Sequence, residues 1–133
     1  MPVKYHIDHE RRTVFAKCDG KLTPGELFRY QRDIWSMPEL AGYDEFVEII
    51  ATDMVVPSSV GLDLRGLAEL AASSDAREDA KLALVAQDDL AFGLARMYKL
   101  YRKLEARGTR QVEVFRSRQE AMDWLGVRGD VPV

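Results

Sequence analysis

The chain has 133 residues, 47% of them hydrophobic and 31% charged, which is the size and composition of one soluble globular domain. A count of 19 Lys and Arg against 22 Asp and Glu leaves a net charge of −3 and a sequence pI near 5.4, and so excludes the overall basic field of a dedicated nucleic-acid binder. No apolar run approaches the roughly 18 residues that cross a bilayer, and Met1-Pro2-Val3-Lys4 leads into alternating residues instead of a signal-peptide core. A cytoplasmic protein is expected from the lack of such a run or core, and the single cysteine, Cys18, excludes an internal disulfide and a thiolate-rich zinc site.

Residues 3–7 and 12–18 alternate with period two around Asp8-His9-Glu10-Arg11 and predict a hairpin in which Ile7 faces Arg12, Tyr5 faces Val14 and Val3 faces Ala16. Val3, Tyr5, Ile7, Val14 and Ala16 then share one apolar face, and Lys4, His6, Thr13 and Phe15 the other, a split suited to a sheet covered by helices mainly on one side. Thr23-Pro24-Gly25-Glu26 reads as a capping box, with proline at the first helical position. It opens a helix over about 24–35 with Leu27, Phe28, Gln31, Ile34 and Trp35 on its inner side, ended by Pro38 and Gly42. Residues 45–50, Glu-Phe-Val-Glu-Ile-Ile, form a third strand, and the strand–helix–strand step implies a parallel pair with a right-handed crossover.

Ser58 or Ser59 caps a second helix whose inner stripe is Val60, Leu64, Leu67, Ala68 and Ala71; the capping hydroxyl is expected to accept a hydrogen bond from an amide two or three residues on. After Ser73-Ser74-Asp75, residues 81–86 form a short apolar strand of the kind buried on both faces. Asp88 or Asp89 caps a third helix that runs to about Ala106, with inner positions Leu90, Leu94, Met97, Tyr101 and Leu104. Gly93 in its first turn is expected to allow close approach of a neighbour, and Gly108 ends it. Residues 110–116 alternate again, with Val112 and Val114 on one face, and Ser117-Arg-Gln-Glu120 opens a short helix that buries Ala121, Trp124 and Leu125 before Gly126. Residues 127–133 are expected to fray. The fold predicted is a single α/β domain over 1–133, a single-layer mixed five-stranded sheet (β-hairpin then βαβαβα), with Val14, Phe46, Ile49, Leu84, Val85 and Val114 in its core.

Four stretches carry a family resemblance in combination. They are Gly20-x-Leu22-Thr23; Phe46-Val-Glu-Ile-Ile50 followed by Asp53; Asp89-Leu-Ala-Phe-Gly-Leu-Ala-Arg-Met-Tyr98; and Val114-Phe-Arg-Ser117 with Glu120-Ala121-x-x-Trp124-Leu125. Spanning the chain from about Tyr5 to Gly126, the set resembles the SpoIIAA-like family of small bacterial STAS-related proteins, grouped with the CRAL-TRIO lipid-binding fold. The resemblance implies a STAS-like fold and a role in regulation or ligand binding. Anti-sigma-factor antagonists of the wider superfamily carry an Asp-Ser-Ser-Gly-like turn whose serine is phosphorylated. The corresponding turn here is Pro57-Ser58-Ser59-Val60-Gly61, with proline for the aspartate and a valine between serine and glycine. Ser58 and Ser59 are therefore phosphoswitch candidates as well as N-caps, since a helix N-terminus favours phosphate.

His6 and His9 have H-x-x-H spacing, but one lies in a strand and the other in a turn, and Cys18 lies at the far end of its strand from His6. Neither a metal site nor a thiolate–imidazole pair is expected from them. Asp88 and Asp89 suit a helix start by capping and by the dipole. Arg96, Lys99, Lys103 and Arg107 recur on one side of the third helix and are expected to be exposed, as a docking surface for an acidic partner, a nucleotide or anionic headgroups. Phe28, Phe92, Met97 and Tyr101 are the candidates for holding an apolar ligand. With no nucleophile, base and orienting group to assemble, no catalytic residue, metal or cofactor is expected. The function expected is a non-enzymatic STAS-like regulatory or protein-interaction module, with self-association as a homodimer in prospect. The alternative is a carrier or sensor of a small apolar or lipid-like ligand.

Overall fold

The computed structural model describes residues 3–19, 23–50, 56, 58–73, 80–105 and 110–133. Five strands form one sheet in chain order: β1 (Val3–Asp8), β2 (Thr13–Cys18), β3 (Asp44–Ile49), β4 (Lys81–Ala86) and β5 (Gln111–Phe115). β1 and β2 are antiparallel and every later pair is parallel. The parallel steps are bridged by α1 (Pro24–Trp35), α2 (Val60–Ser73) and α3 (Asp89–Lys103), and α4 (Arg118–Leu125) follows β5. The mixed sheet of the sequence reading is what forms.

The hairpin register differs from expectation by two residues: Ile7 faces Val14, Tyr5 faces Ala16 and Val3 faces Cys18. The turn takes residues 9–12 because Asp8 accepts from Arg11 N at 2.9 Å and from Arg11 Nε at 2.6 Å, and Arg12 closes it with a φ of 50°. A slip of two conserves the parity of every side chain, so the predicted faces survive.

Alternation sends Ala16, Cys18, Val47, Leu82 and Leu84 to one face, where they pack with Leu67 and Ala68 of α2 and Ala95 and Tyr98 of α3. Phe15, Phe46, Ala83 and Val85 point to the other, against Ala121, Met122 and Leu125 of α4. β4 is apolar from Leu82 to Ala86 because it lies between β3 and β5 under helices on both sides. Of the expected core, Val14, Phe46, Leu84 and Val85 are buried, and Ile49 and Val114 are half-buried.

Three expectations need correction. Residues 127–133 do not fray: Val127, Val131 and Val133 pack on the α4 side of the sheet. Arg11 Nη1 donates to the carbonyls of Arg128 and Asp130 at 2.8 and 3.0 Å, and Arg118 Nη2 donates to that of Val133 at 3.1 Å. The inner face of α3 is Ala91, Ala95, Tyr98 and Arg102, one residue on from each predicted position and so rotated by about 100°. Leu90 and Leu104 are exposed in consequence, because the short alanines let α3 lie close to the sheet and to α2. A Cβ at Gly93 would meet nothing within 4 Å, so that glycine makes no close approach; Gly66 does, since a Cβ there would stand 3.2 Å from Phe28 Cζ.

Candidate functional site

On the three-helix face the side chains leave a cavity of about 140 Å³. Its floor is Cys18, Val47, Ile49, Leu82 and Leu84, which the period of two brings to one side of β2, β3 and β4. Leu27, Phe28 and Gln31 of α1, Leu64 and Leu67 of α2, and Leu94, Ala95 and Tyr98 of α3 form its roof. α1 is set over the strand ends by its capping box: Thr23 Oγ1 accepts from Glu26 N at 3.3 Å, and Glu26 Oε2 accepts from Thr23 N at 2.9 Å. The rim is the exposed Thr23 and Val56 with half-buried Asp63, and the buried end is Gln31, Glu45 and Leu82.

The buried end is polar and organised by one carboxylate. Glu45, the second residue of β3, shares the parity of Val47 and Ile49 and so points under α1, where it is only 5% exposed. Its Oε2 accepts from Tyr30 Oη at 2.7 Å and from Trp35 Nε1 at 3.0 Å, and Arg110 Nη1 stands 3.8 Å from its Oε1. The Arg110 guanidinium also stacks 4.3 Å from the centre of the Trp35 ring. Burial pushes the Tyr30 hydroxyl well above its ordinary range, and the adjacent Glu45 carboxylate adds to the effect. The Cys18 thiol is pushed up to about 12, first by burial and then by the Glu45 charge, so at neutral pH it is a small apolar wall group and not a nucleophile.

The residues singled out from sequence do not converge on one place. Of the four apolar-ligand candidates only Phe28 lines the cavity. Phe92 packs by Ala86 and Ala91 with Arg116 4.0 Å above its ring, Tyr101 lies against the start of α2 at Gly61, and Met97 is half-buried outside the lining. Rotation of α3 hands their places to Leu94, Ala95 and Tyr98. Ser58 and Ser59 are exposed; Ser59 Oγ donates to Asp63 Oδ2 at 2.9 Å, where an amide donor to the hydroxyl was expected. The basic stripe is divided as well. Arg96 and Lys103 are exposed, Lys99 is half-buried and paired with Glu113 at 2.7 Å, and Arg107 lies outside the described residues. Asp88 caps α3 by accepting from Ala91 N at 2.8 Å, Asp89 pairs with Arg116, and His9 Nδ1 bonds Tyr43 Oη at 2.8 Å. Among the described residues no three His, Cys, Asp or Glu side chains are grouped to hold a metal, and no helix is long and apolar enough to cross a membrane.

Sequence reasoning missed the Glu45, Tyr30, Trp35 and Arg110 cluster. The available signal was a carboxylate in phase with Val47 and Ile49 in a strand due for burial. No protein family, curated protein or solved structure matches this chain.

Proposed function

We propose that this protein is a non-enzymatic carrier or sensor that takes a small apolar molecule between the sheet and α1, α2 and α3, in keeping with the SpoIIAA-like resemblance of its sequence. The observation that carries the reading is the cavity of about 140 Å³, whose walls are mainly Leu, Val, Ile, Phe and Ala side chains with a few polar groups at its rim and buried end. An apolar cavity of about 150 Å³ in another protein stays dry and binds benzene, so the space suits a ligand, or a ligand segment, of that size. A protonated thiol and a carboxylate already engaged by two donors offer no nucleophile or base there. Benzene near saturation should raise the Tm of the parent protein by mass action. Ala95→Leu, which puts three more carbons into the cavity, should abolish the rise. A Tm that benzene leaves unchanged in the parent protein would overturn the reading.

A protein-interaction role has one observation in its favour. Leu100 and Leu104 are 62% and 77% exposed beside Lys103 on the outer side of α3. If copies associate through this side, Leu100→Lys should shift the species seen by analytical ultracentrifugation from dimer to monomer; a parent protein that is already monomeric removes the homodimer.

A further inference from the structure

The polar groups that face the cavity are accounted for within the protein, with one exception. Glu45 accepts from Tyr30 Oη and, behind the wall, from Trp35 Nε1; Tyr98 Oη accepts from Arg102 Nη1, Thr23 Oγ1 accepts from Glu26 N, and Asp63 accepts from Ser59. Gln31 is the exception: it lines the buried end at 7% exposure, and its amide hydrogen-bonds to no other described residue. A primary amide offers two donors and one acceptor, and leaving it unpaired in a dry site is destabilising. Leucine or methionine would serve the helix and the packing as well. The lining also has a charge signature: among the described residues it holds the carboxylates Glu45 and Asp63 and no Lys, Arg or His.

We propose that the ligand is electrically neutral, with an apolar body in the cavity and one carbonyl, amide or hydroxyl group paired with Gln31 at the buried end. This rests on the cavity being a ligand site, as argued above, and adds the class of molecule it selects. An anionic headgroup such as a fatty-acid carboxylate would give up its water with no lining cation to receive it, and would face Glu45. An ammonium group fares no better: Glu45 Oε2 already accepts from Tyr30 and Trp35, and the Arg110 guanidinium, 3.8 Å from Oε1, neutralises the carboxylate and would repel a second cation. An amide such as Gln31 discriminates by hydrogen bonding alone, and it can serve either a donor or an acceptor.

Four probes of one shape separate the possibilities: toluene, benzamide, benzoate and benzylamine, each titrated into the full chain and followed by amide NMR shifts of the cavity-lining residues. Benzamide should bind three- to tenfold more tightly than toluene, the ratio that one net hydrogen bond supplies. Benzoate and benzylamine should bind at least tenfold more weakly than benzamide. Gln31→Met, close in shape and good in a helix, should keep toluene affinity within twofold while erasing the preference for benzamide; Gln31→Leu provides the same test if methionine disturbs the fold. If toluene binds but benzoate matches benzamide, or if the preference persists in both variants, the neutral-ligand assignment is wrong and the cavity reading stands. If none of the four binds the parent protein, the cavity reading itself falls and takes this assignment with it.

Discussion

Replacing Glu45 by leucine tests whether one buried carboxylate organises the inner end of the cavity. Leucine removes the acceptor of Tyr30 Oη at 2.7 Å and of Trp35 Nε1 at 3.0 Å, and the negative charge 3.8 Å from Arg110 Nη1. Each neutral donor left buried without a partner costs about 1–3 kcal/mol, and breaking a buried ion pair from one side typically costs about 3–5 kcal/mol. The contributions overlap because the groups form one network, so the expected loss is about 3–5 kcal/mol out of a total stability of about 5–15 kcal/mol. Glu45→Gln keeps a carbonyl that both donors can share and should lose only about 1–2 kcal/mol. Urea unfolding followed by far-UV circular dichroism reads both. With a slope of about 2 kcal/mol/M, the leucine variant should unfold at a midpoint about 2 M lower. A Glu45→Leu protein within about 0.5 kcal/mol of the parent at unchanged slope would refute the reasoning, as would a glutamine variant less stable than the leucine one.

Further outcomes follow from other parts of the structure. Cys18 should resist a thiol reagent at pH 8 in the native protein and yield one equivalent in denaturant, since its pKa is pushed up to about 12; native-state labelling within minutes would contradict its burial. Burial raises the Cys18 thiol and the Tyr30 hydroxyl above their ordinary ranges, so the stability they contribute is complete below about pH 9, where the unfolded thiol begins to ionise, and declines as pH rises toward 12. Cys18→Ala with Tyr30→Phe should flatten that alkaline decline, and an unaltered pH profile would count against it. Lys99→Glu sets a second carboxylate against Glu113 and should cost about 1 kcal/mol, whereas exposed Lys103→Glu should stay within about 0.5 kcal/mol; equal thermal-melt effects would mean that the Lys99 ion pair contributes nothing. Arg11→Ala removes the donor to the carbonyls of Arg128 and Asp130 and should speed amide hydrogen exchange over residues 127–133, while exchange there at the parent rate would show that apolar packing alone holds the segment.

The cavity was only partly legible in the sequence. Gln31 and Phe28 fall on the inner side of α1 by helical spacing, and Ile49 and Leu84 fall in the core by the strand pattern, because both periods are fixed by backbone geometry. On α3 the spacing points to Leu94, Met97 and Tyr101 and not to Ala95 and Tyr98; of the three expected, Leu94 alone lines the cavity, beside Ala95 and Tyr98. A hydrophobic stripe wide enough to cover two neighbours leaves the rotation of a helix open by one residue, and here contact of α3 with both the sheet and α2 turned Ala91, Ala95, Tyr98 and Arg102 inward.

What the sequence by itself determined is what depends on near neighbours in the chain. Alternation specified the strands, Thr23 with Glu26 and Ser117 with the Glu120 amide specified two helix starts, and the apolar run at 81–86 specified the doubly covered strand. Tertiary structure decided what depends on residues distant in sequence. The segment after α4 docked because Arg11 reaches its carbonyls from more than a hundred residues away. Glu45 met Tyr30, Trp35 and Arg110 only when β3, α1 and the start of β5 came together. Each of these contacts replaces water around a polar group with a partner that no local pattern encodes, so it takes form only once the chain has closed around it.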